Sequence, residues 1–118
     1  SIGAVVQVDD EALMDAITAL SGSGPAYVFL MAEAMTAAGE TAGLPAALAK
    51  RLAEATVTGA GALIEAANES PSTLRENVTS KGGTTAAALA VLMADDGLPS
   101  LIERAVQMAK KRSVELRA

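Results

Sequence analysis

The sequence predicts an all-α fold, and three observations support this prediction. Alanine makes up about a quarter of the 118 residues, and it loses less conformational freedom in a helix than any other residue with a side chain. Apolar residues account for 51% of the chain but aromatic residues for only 2%, so buried side chains should be mostly small. Cap residues, glycines and prolines divide the chain into segments of helical length. We therefore predict a bundle-like domain of about six helices over residues 9–118, after an extended lead-in at residues 1–8.

The small core points to a second subunit. A domain of this size buries only roughly two-thirds of the surface that its unfolded chain exposes. Tyr27 and Phe29 are the aromatic side chains, and one pair cannot anchor a core alone. We expect the helices to be interlocked with those of a second copy.

The first two helices are marked by a cap and a break. Residues 9–11 are acidic and precede a periodic apolar run, which is typical of a helix start. Residues 21–25, Ser-Gly-Ser-Gly-Pro, are expected to end this helix in a tight turn. Ser23 can cap a second helix over 26–42, which is apolar on nearly every side.

The third helix contains an unexpected pair of glycines. Leu44 and Pro45 restart the chain into a helix that reaches about Ala67, and Gly59 and Gly61 fall inside it. Glycine costs up to about 1 kcal/mol relative to alanine in a helix interior. Close approach of another backbone would offset this cost, and a local kink is the alternative.

Three shorter predictions complete the fold. Ser70 as cap and Pro71 at the first position predict a fourth helix over about 71–78. After a second glycine-rich break, a fifth helix covers 84–93. Apolar residues spaced by three and four predict a final helix from Leu98 to about Leu116.

Composition excludes several kinds of function. A net charge of −5 argues against a nucleic-acid partner, whose phosphates need a basic surface. The longest apolar stretch, 25–38, is shorter than the ~20 residues that cross a bilayer, so no membrane partner is expected. The chain has no cysteine or histidine, which excludes thiolate nucleophiles and imidazole catalysis, and no metal site is expected.

Residues 80–85, Ser-Lys-Gly-Gly-Thr-Thr, form the most chemically distinctive segment. At a helix start the first four backbone N–H groups lack intrahelical partners and the helix dipole is positive, so a carboxylate or phosphate can bind there. Glycines allow close approach to the backbone, and threonine hydroxyls add donors. An ordinary turn with a helix cap explains the same pattern, and both interpretations stay open.

Three segments together resemble the pyrroline-5-carboxylate reductases, which make proline from its cyclic imine precursor. They are residues 10–30, 42–45 and 74–92, with SGSGPAY and VTSKGGTT as the most specific motifs. The resemblance implies a cytoplasmic two-domain enzyme with an N-terminal Rossmann domain for NADPH or NADH. Its helical C-terminal domain forms a homodimer, or a higher oligomer of dimers. No G-x-G-x-x-G motif after a strand occurs here, so the Rossmann domain is expected to be absent and the isolated chain inactive.

The resemblance also implies roles for individual residues. The substrate carboxylate binds the amides around Gly83, Thr84 and Thr85, and the Thr85 hydroxyl lies near the ring nitrogen as the catalytic group. The remaining implied residues are Val78 and Ser80 lining the pocket, Asn77 at the nicotinamide end of the cofactor, and Glu11 near the substrate. Many relatives have proline where this chain has Lys81, which either adds positive charge or points to solvent.

The implied chemistry suits a chain without histidine. A cyclic imine is basic enough to arrive protonated, so catalysis is mainly positioning of the carboxylate and nitrogen for hydride transfer from NADPH. The alternative is a non-catalytic helical dimerisation module with a vestigial anion site.

Overall fold

The computed structural model describes residues 10–118, and the predicted lead-in at 1–8 lies outside them. These residues form helices and no strand, which confirms the all-α prediction. The helices are α1 (Glu11–Ile17), a π-helical turn (Thr18–Gly22), α2 (Gly24–Thr41), α3 (Ala46–Ala66), α4 (Pro71–Asn77), α5 (Thr84–Leu92) and α6 (Leu98–Arg117). They divide into two compact units, one of residues 24–68 and the other of the described residues on either side. No described helix is long and apolar enough to span a membrane.

Helix α1 begins as predicted, but the break after it is shorter than predicted. Asp10 has extended dihedral angles, and its Oδ1 accepts a hydrogen bond from the Ala12 amide at 2.8 Å. The five-residue break expected at 21–25 was wrong, because the π-helical turn continues to Gly22 and α2 starts at Gly24. Pro25 is tolerated there, since a first-turn residue needs no N–H for the helix. Ser23 precedes α2 with a helical φ of −86° and ψ of −17°. The N-cap role predicted for Ser23 would require extended dihedral angles instead.

In the 24–68 unit, α2 and α3 pack as a hairpin on small residues. The Leu44 amide donates to the Gly39 carbonyl and the Gly43 amide to the Glu40 carbonyl, both at 3.0 Å, which is a Schellman cap. Gly43 supplies the positive φ of 109° that this cap requires. A Cβ on Gly39 would lie 3.2 Å from the Ala49 Cβ, so glycine permits the close helix contact.

The glycines inside α3 have no neighbour in the described chain. Helix α3 runs from Ala46 to Ala66 in one piece, and a Cβ on Gly59 or Gly61 would meet nothing within 4 Å. The predicted close approach is therefore not made by a described segment of this chain.

In the other unit, α1 and the π-helical turn pack against α6. Ala19 is fully buried at this contact and Asp15 is 3% exposed. Helix α4 begins as predicted, since the Ser70 Oγ accepts from the Thr73 amide at 3.2 Å and Pro71 follows the cap.

The described residues bury few apolar side chains. Ala19, Ala49 and Ala53 are the buried apolar residues, which confirms that buried side chains are small. Large apolar side chains stay exposed in both units, among them Phe29 at 67% and Val91 at 72%. Much apolar surface of the described residues therefore stays exposed to solvent within one copy, where the hydrophobic effect favours its burial.

Candidate functional site

The segment that precedes α5 forms a tight turn. The Gly83 amide donates to the Ser80 carbonyl at 3.0 Å, which closes a β-turn over residues 80–83. Gly82, in its third position, has a φ of 72°, and this combination is typical of a type II turn. Proline is common in the second position of such turns, where this chain has the exposed Lys81.

The start of α5 presents free backbone donors. Gly83 is the N-cap residue with extended dihedral angles, and no side chain caps the helix. The first hydrogen bond back to the cap runs from the Ala87 amide to the Gly83 carbonyl at 3.1 Å. The amides of Thr84, Thr85 and Ala86 therefore lack an intrahelical acceptor. Such amides, at the positive end of the helix dipole, suit a carboxylate or phosphate oxygen.

Glycine 83 is constrained by the turn itself. A Cβ at this position would lie 3.3 Å from the Ser80 carbonyl oxygen, which is tighter than nine in ten real Cβ contacts. A bare backbone here also lets an anion approach the amides closely. Beside it, Thr84 is exposed and Thr85 is half-buried, so both residues are at least partly open to solvent.

Most residues predicted for the site lie on one continuous segment between α4 and α5. Asn77 ends α4, and Val78 follows it with 67% exposure. The Thr79 hydroxyl donates to the Arg75 carbonyl at 2.6 Å and so helps to end that helix. Asn77, Val78 and the exposed Ser80 therefore lead directly into the free amides of α5.

Glu11 is placed differently, at the first turn of α1. Its Oε2 accepts a hydrogen bond from Nη1 of Arg117 at 3.0 Å. The same guanidinium donates from Nε to Oδ2 of Asp15 at 2.8 Å, and the Ser113 hydroxyl donates to Oδ1 at 2.8 Å. These four side chains form a cluster that ties the start of α1 to the end of α6.

The contact between Asp15 and Arg117 shifts the pKa of both groups. The hydrogen bond from Arg117 lowers the pKa of the Asp15 carboxyl below its ordinary value of 3.8, and the bond from Ser113 acts in the same direction. The hydrogen bond to Asp15 raises the pKa of Arg117. The sequence analysis did not predict this role for Asp15, Ser113 or Arg117. One sequence feature could have indicated it, because Asp15 lies four residues before Ala19, on the same face of a helix with periodic apolar residues.

A groove of about 640 Å³ lies between α2 and α3 and contains none of the predicted site residues. It is lined by apolar side chains such as Val28, Phe29 and Val57 and by charged residues such as Glu33. Glu33 is exposed, although it lies in the most apolar helix. In the described part of the chain no three acidic side chains gather as metal ligands.

Comparison with known proteins relates the whole chain to one family. The family model described as pyrroline-5-carboxylate reductase dimerisation matches residues 11–116. A pyrroline-5-carboxylate reductase of Synechocystis is 51% identical over 98% of this chain and 43% of that protein. A solved pyrroline-5-carboxylate reductase structure from Coxiella burnetii matches with a TM-score of 0.89 at 43% identity, over 97% of this chain and 42% of its own. The Plasmodium falciparum pyrroline carboxylate reductase with NADP bound matches with a TM-score of 0.83 at 33% identity, over 92% and 41%.

These matches confirm the resemblance seen in the motifs. The chain spans less than half the length of the relatives it matches. The matched segment includes all six α-helices apart from the last residue of α6. From the family model and the identity along the chain, we conclude that it belongs to the pyrroline-5-carboxylate reductase dimerisation family.

Proposed function

We propose that this chain is the dimerisation and substrate-binding part of a pyrroline-5-carboxylate reductase, which reduces 1-pyrroline-5-carboxylate to L-proline in the cytoplasm. The observation that carries the proposal is the start of α5, where no side chain caps the helix and three backbone amides lack an intrahelical acceptor. The names of the relatives supply the substrate class.

The substrate would bind by its carboxylate and by its ring nitrogen. The amides around Gly83, Thr84 and Thr85 were expected to hold the carboxylate, but the Gly83 amide donates to the Ser80 carbonyl, so Ala86 takes its place. The carboxylate oxygens accept from the amides of Thr84, Thr85 and Ala86, which need no cationic side chain for this. The Thr85 hydroxyl can donate or accept, so it orients the ring nitrogen. Val78 and Ser80 lie on the segment that enters this turn and would line the pocket.

The reaction adds a hydride to the imine carbon, and the nitrogen is already protonated when the basic imine binds. NADPH or NADH, when bound, supplies that hydride. The described residues contain no strand before a glycine-rich turn, so the dinucleotide would be held mainly by the remainder of a longer protein. The exposed Asn77 would be this chain's contact with the nicotinamide end. The chain's contribution to catalysis is thus positioning.

A homodimer is part of the same proposal. Exposed large apolar side chains occur on every helix except the short α4, and the family model is one of dimerisation. Burial of apolar surface releases roughly 25 cal/mol per Å², so a second copy is the partner that such a surface favours. Sedimentation velocity of the chain at micromolar concentration tests this, and a well-folded monomer would refute it.

Substitution of Thr85 tests the catalytic assignment. In the protein encoded by the natural reading frame, Thr85→Ala should lower kcat/KM for 1-pyrroline-5-carboxylate about tenfold or more. Thr56→Ala is the matched control, because its hydroxyl is occupied by the Leu52 carbonyl at 2.7 Å within α3. Unchanged kinetics in Thr85→Ala would refute the role of Thr85. A dimer without reductase activity in the natural protein would favour the non-catalytic module instead.

A further inference from the structure

The cluster of Glu11, Asp15, Ser113 and Arg117 connects residues that are far apart in sequence. Asp15 is 3% exposed and both of its carboxylate oxygens accept hydrogen bonds, from Ser113 and from Arg117. A buried carboxylate without partners is very unfavourable, so Asp15 holds the guanidinium in one place. Arg117 is itself 44% exposed at its side chain, and it extends outward from this anchor.

An anchored guanidinium can order a surface carboxylate that would otherwise move freely. An exposed ion pair between two mobile side chains contributes little, since both must lose rotamer freedom to form it. Here Arg117 has already lost that freedom at Asp15, and its planar guanidinium presents Nη1 to a second carboxylate while Nε is bonded to Asp15. The Glu11 side chain is 79% exposed, so its contact with Arg117 restrains it while leaving most of it open to solvent.

We propose that Arg117 is a positioning residue that holds the Glu11 carboxylate at the first turn of α1, with Asp15 as its buried anchor. The functional consequence rests on the proposed function together with the role that the family resemblance implies for Glu11, a place near the substrate. A fixed carboxylate attracts a protonated imine, and a bound arginine moderates that attraction by its own charge. The end of α6 thereby sets the charge that α1 presents to the substrate.

Side-chain NMR of the chain tests the positioning without any activity. In the unsubstituted chain the Hα–Hβ couplings of Glu11 should report one dominant χ1 rotamer, and the Arg117 Nε–H should exchange slowly. Asp15→Asn should average the Glu11 couplings although it leaves Glu11 and Arg117 in place. Averaged couplings before substitution, or unchanged couplings in Asp15→Asn, would overturn the proposal.

A second variant covers the case in which Asp15→Asn does not fold. Arg117→Lys keeps a cation beside Asp15 but lacks the fork that bridges two carboxylates. It should retain the amide spectrum of a folded chain and release Glu11. If Glu11 stays fixed with lysine at this position, charge alone suffices and the bridging role is wrong.

A double-mutant cycle in the natural reductase tests the consequence for substrate. Arg117→Gln should change KM about threefold or more in the unsubstituted protein and much less when Glu11→Gln is already present, with kcat little affected in both. Equal changes in both backgrounds would show that Arg117 does not act through Glu11. An absence of reductase activity with a fixed Glu11 in the NMR experiment would refute the proposed function alone.

Discussion

The Arg117 guanidinium donates from Nε to the buried Oδ2 of Asp15 at 2.8 Å, although 102 positions separate the two residues in the sequence. This bond joins the first described helix to the last one. It closes a unit in which Ala19 is the one buried apolar residue among those that the structure describes. In such a unit one charged contact has an unusually large share in holding α1 on α6.

Asp15→Asn is expected to lower the thermal stability of the chain. The neutral amide loses the charge-assisted bond with Arg117 and leaves polar groups poorly matched at a buried position. Circular dichroism melts at neutral pH should show a midpoint lower by several degrees. Glu103→Gln, which changes an exposed carboxylate on α6, is the control and should leave the midpoint nearly unchanged. Equal melting of both variants would contradict the structural role of Asp15.

The contribution of Asp15 should depend on pH in one direction. Its pKa lies below 3.8 in the folded chain, so the unfolded chain binds the proton more readily. The stabilisation is therefore complete above the ordinary pKa and is lost as the pH falls through the folded pKa. The difference in unfolding free energy between the unsubstituted chain and Asp15→Asn should be constant from neutral pH to about pH 5 and shrink toward pH 3. Urea titrations at three pH values measure it, and a constant difference down to pH 3 is the contrary outcome.

Gly97→Ala is expected to destabilise the turn before α6. A Cβ there would overlap the Leu92 carbonyl oxygen and lie 2.9 Å from the Ala94 carbonyl oxygen, both of them backbone atoms. Backbone atoms cannot rotate away, so the turn must shift at a cost of about 1–3 kcal/mol. Gly24→Ala is the matched control, because a Cβ there meets nothing within 4 Å. Chemical denaturation of both variants gives the comparison, and similar losses would count against the steric explanation.

The glycines of α3 should matter for self-association rather than for the single chain. Within one copy, Gly59→Ala and Gly61→Ala fill open space and gain helix propensity worth up to about 1 kcal/mol each. If a second copy's backbone packs against them, the added methyl groups should weaken the dimer. Sedimentation equilibrium of the double variant should show a larger dimer dissociation constant. Equal or tighter association together with a higher melting temperature would show that no backbone approaches there.

Local signals predicted the helices well because each acts over a few residues. Asp10 and Ser70 cap helices where the sequence placed caps, and Pro71 stands at a first helical position. The break at 21–25 was overestimated, because glycine and proline are also compatible with a helix start. Periodicity of the apolar residues does not reveal the π-helical turn at Thr18–Gly22, which contains the buried Ala19 and packs against α6.

In the candidate site, too, local features could be predicted from the sequence and long-range contacts could not. The turn at 80–83 and the free amides of Thr84 and Thr85 follow from neighbouring residues, so the sequence could predict them. The contact of Glu11 with Arg117 spans 106 positions and has no local signature. Only the docking of α1 on α6 brings those two side chains together.

Helix α5 has a consequence for how substrate and subunits depend on each other. It is nine residues long, contains no buried residue, and exposes Val91 at 72% and Leu92 at 45%. Isolated helices shorter than about 12–15 residues are marginal in water, so this one needs a covering surface to persist. The amides that would hold the substrate exist only while α5 is folded. In the proposed dimer, dilution would therefore unfold α5 and remove its substrate-binding amides when the subunits separate. By mass action, a saturating concentration of substrate would stabilise the dimer.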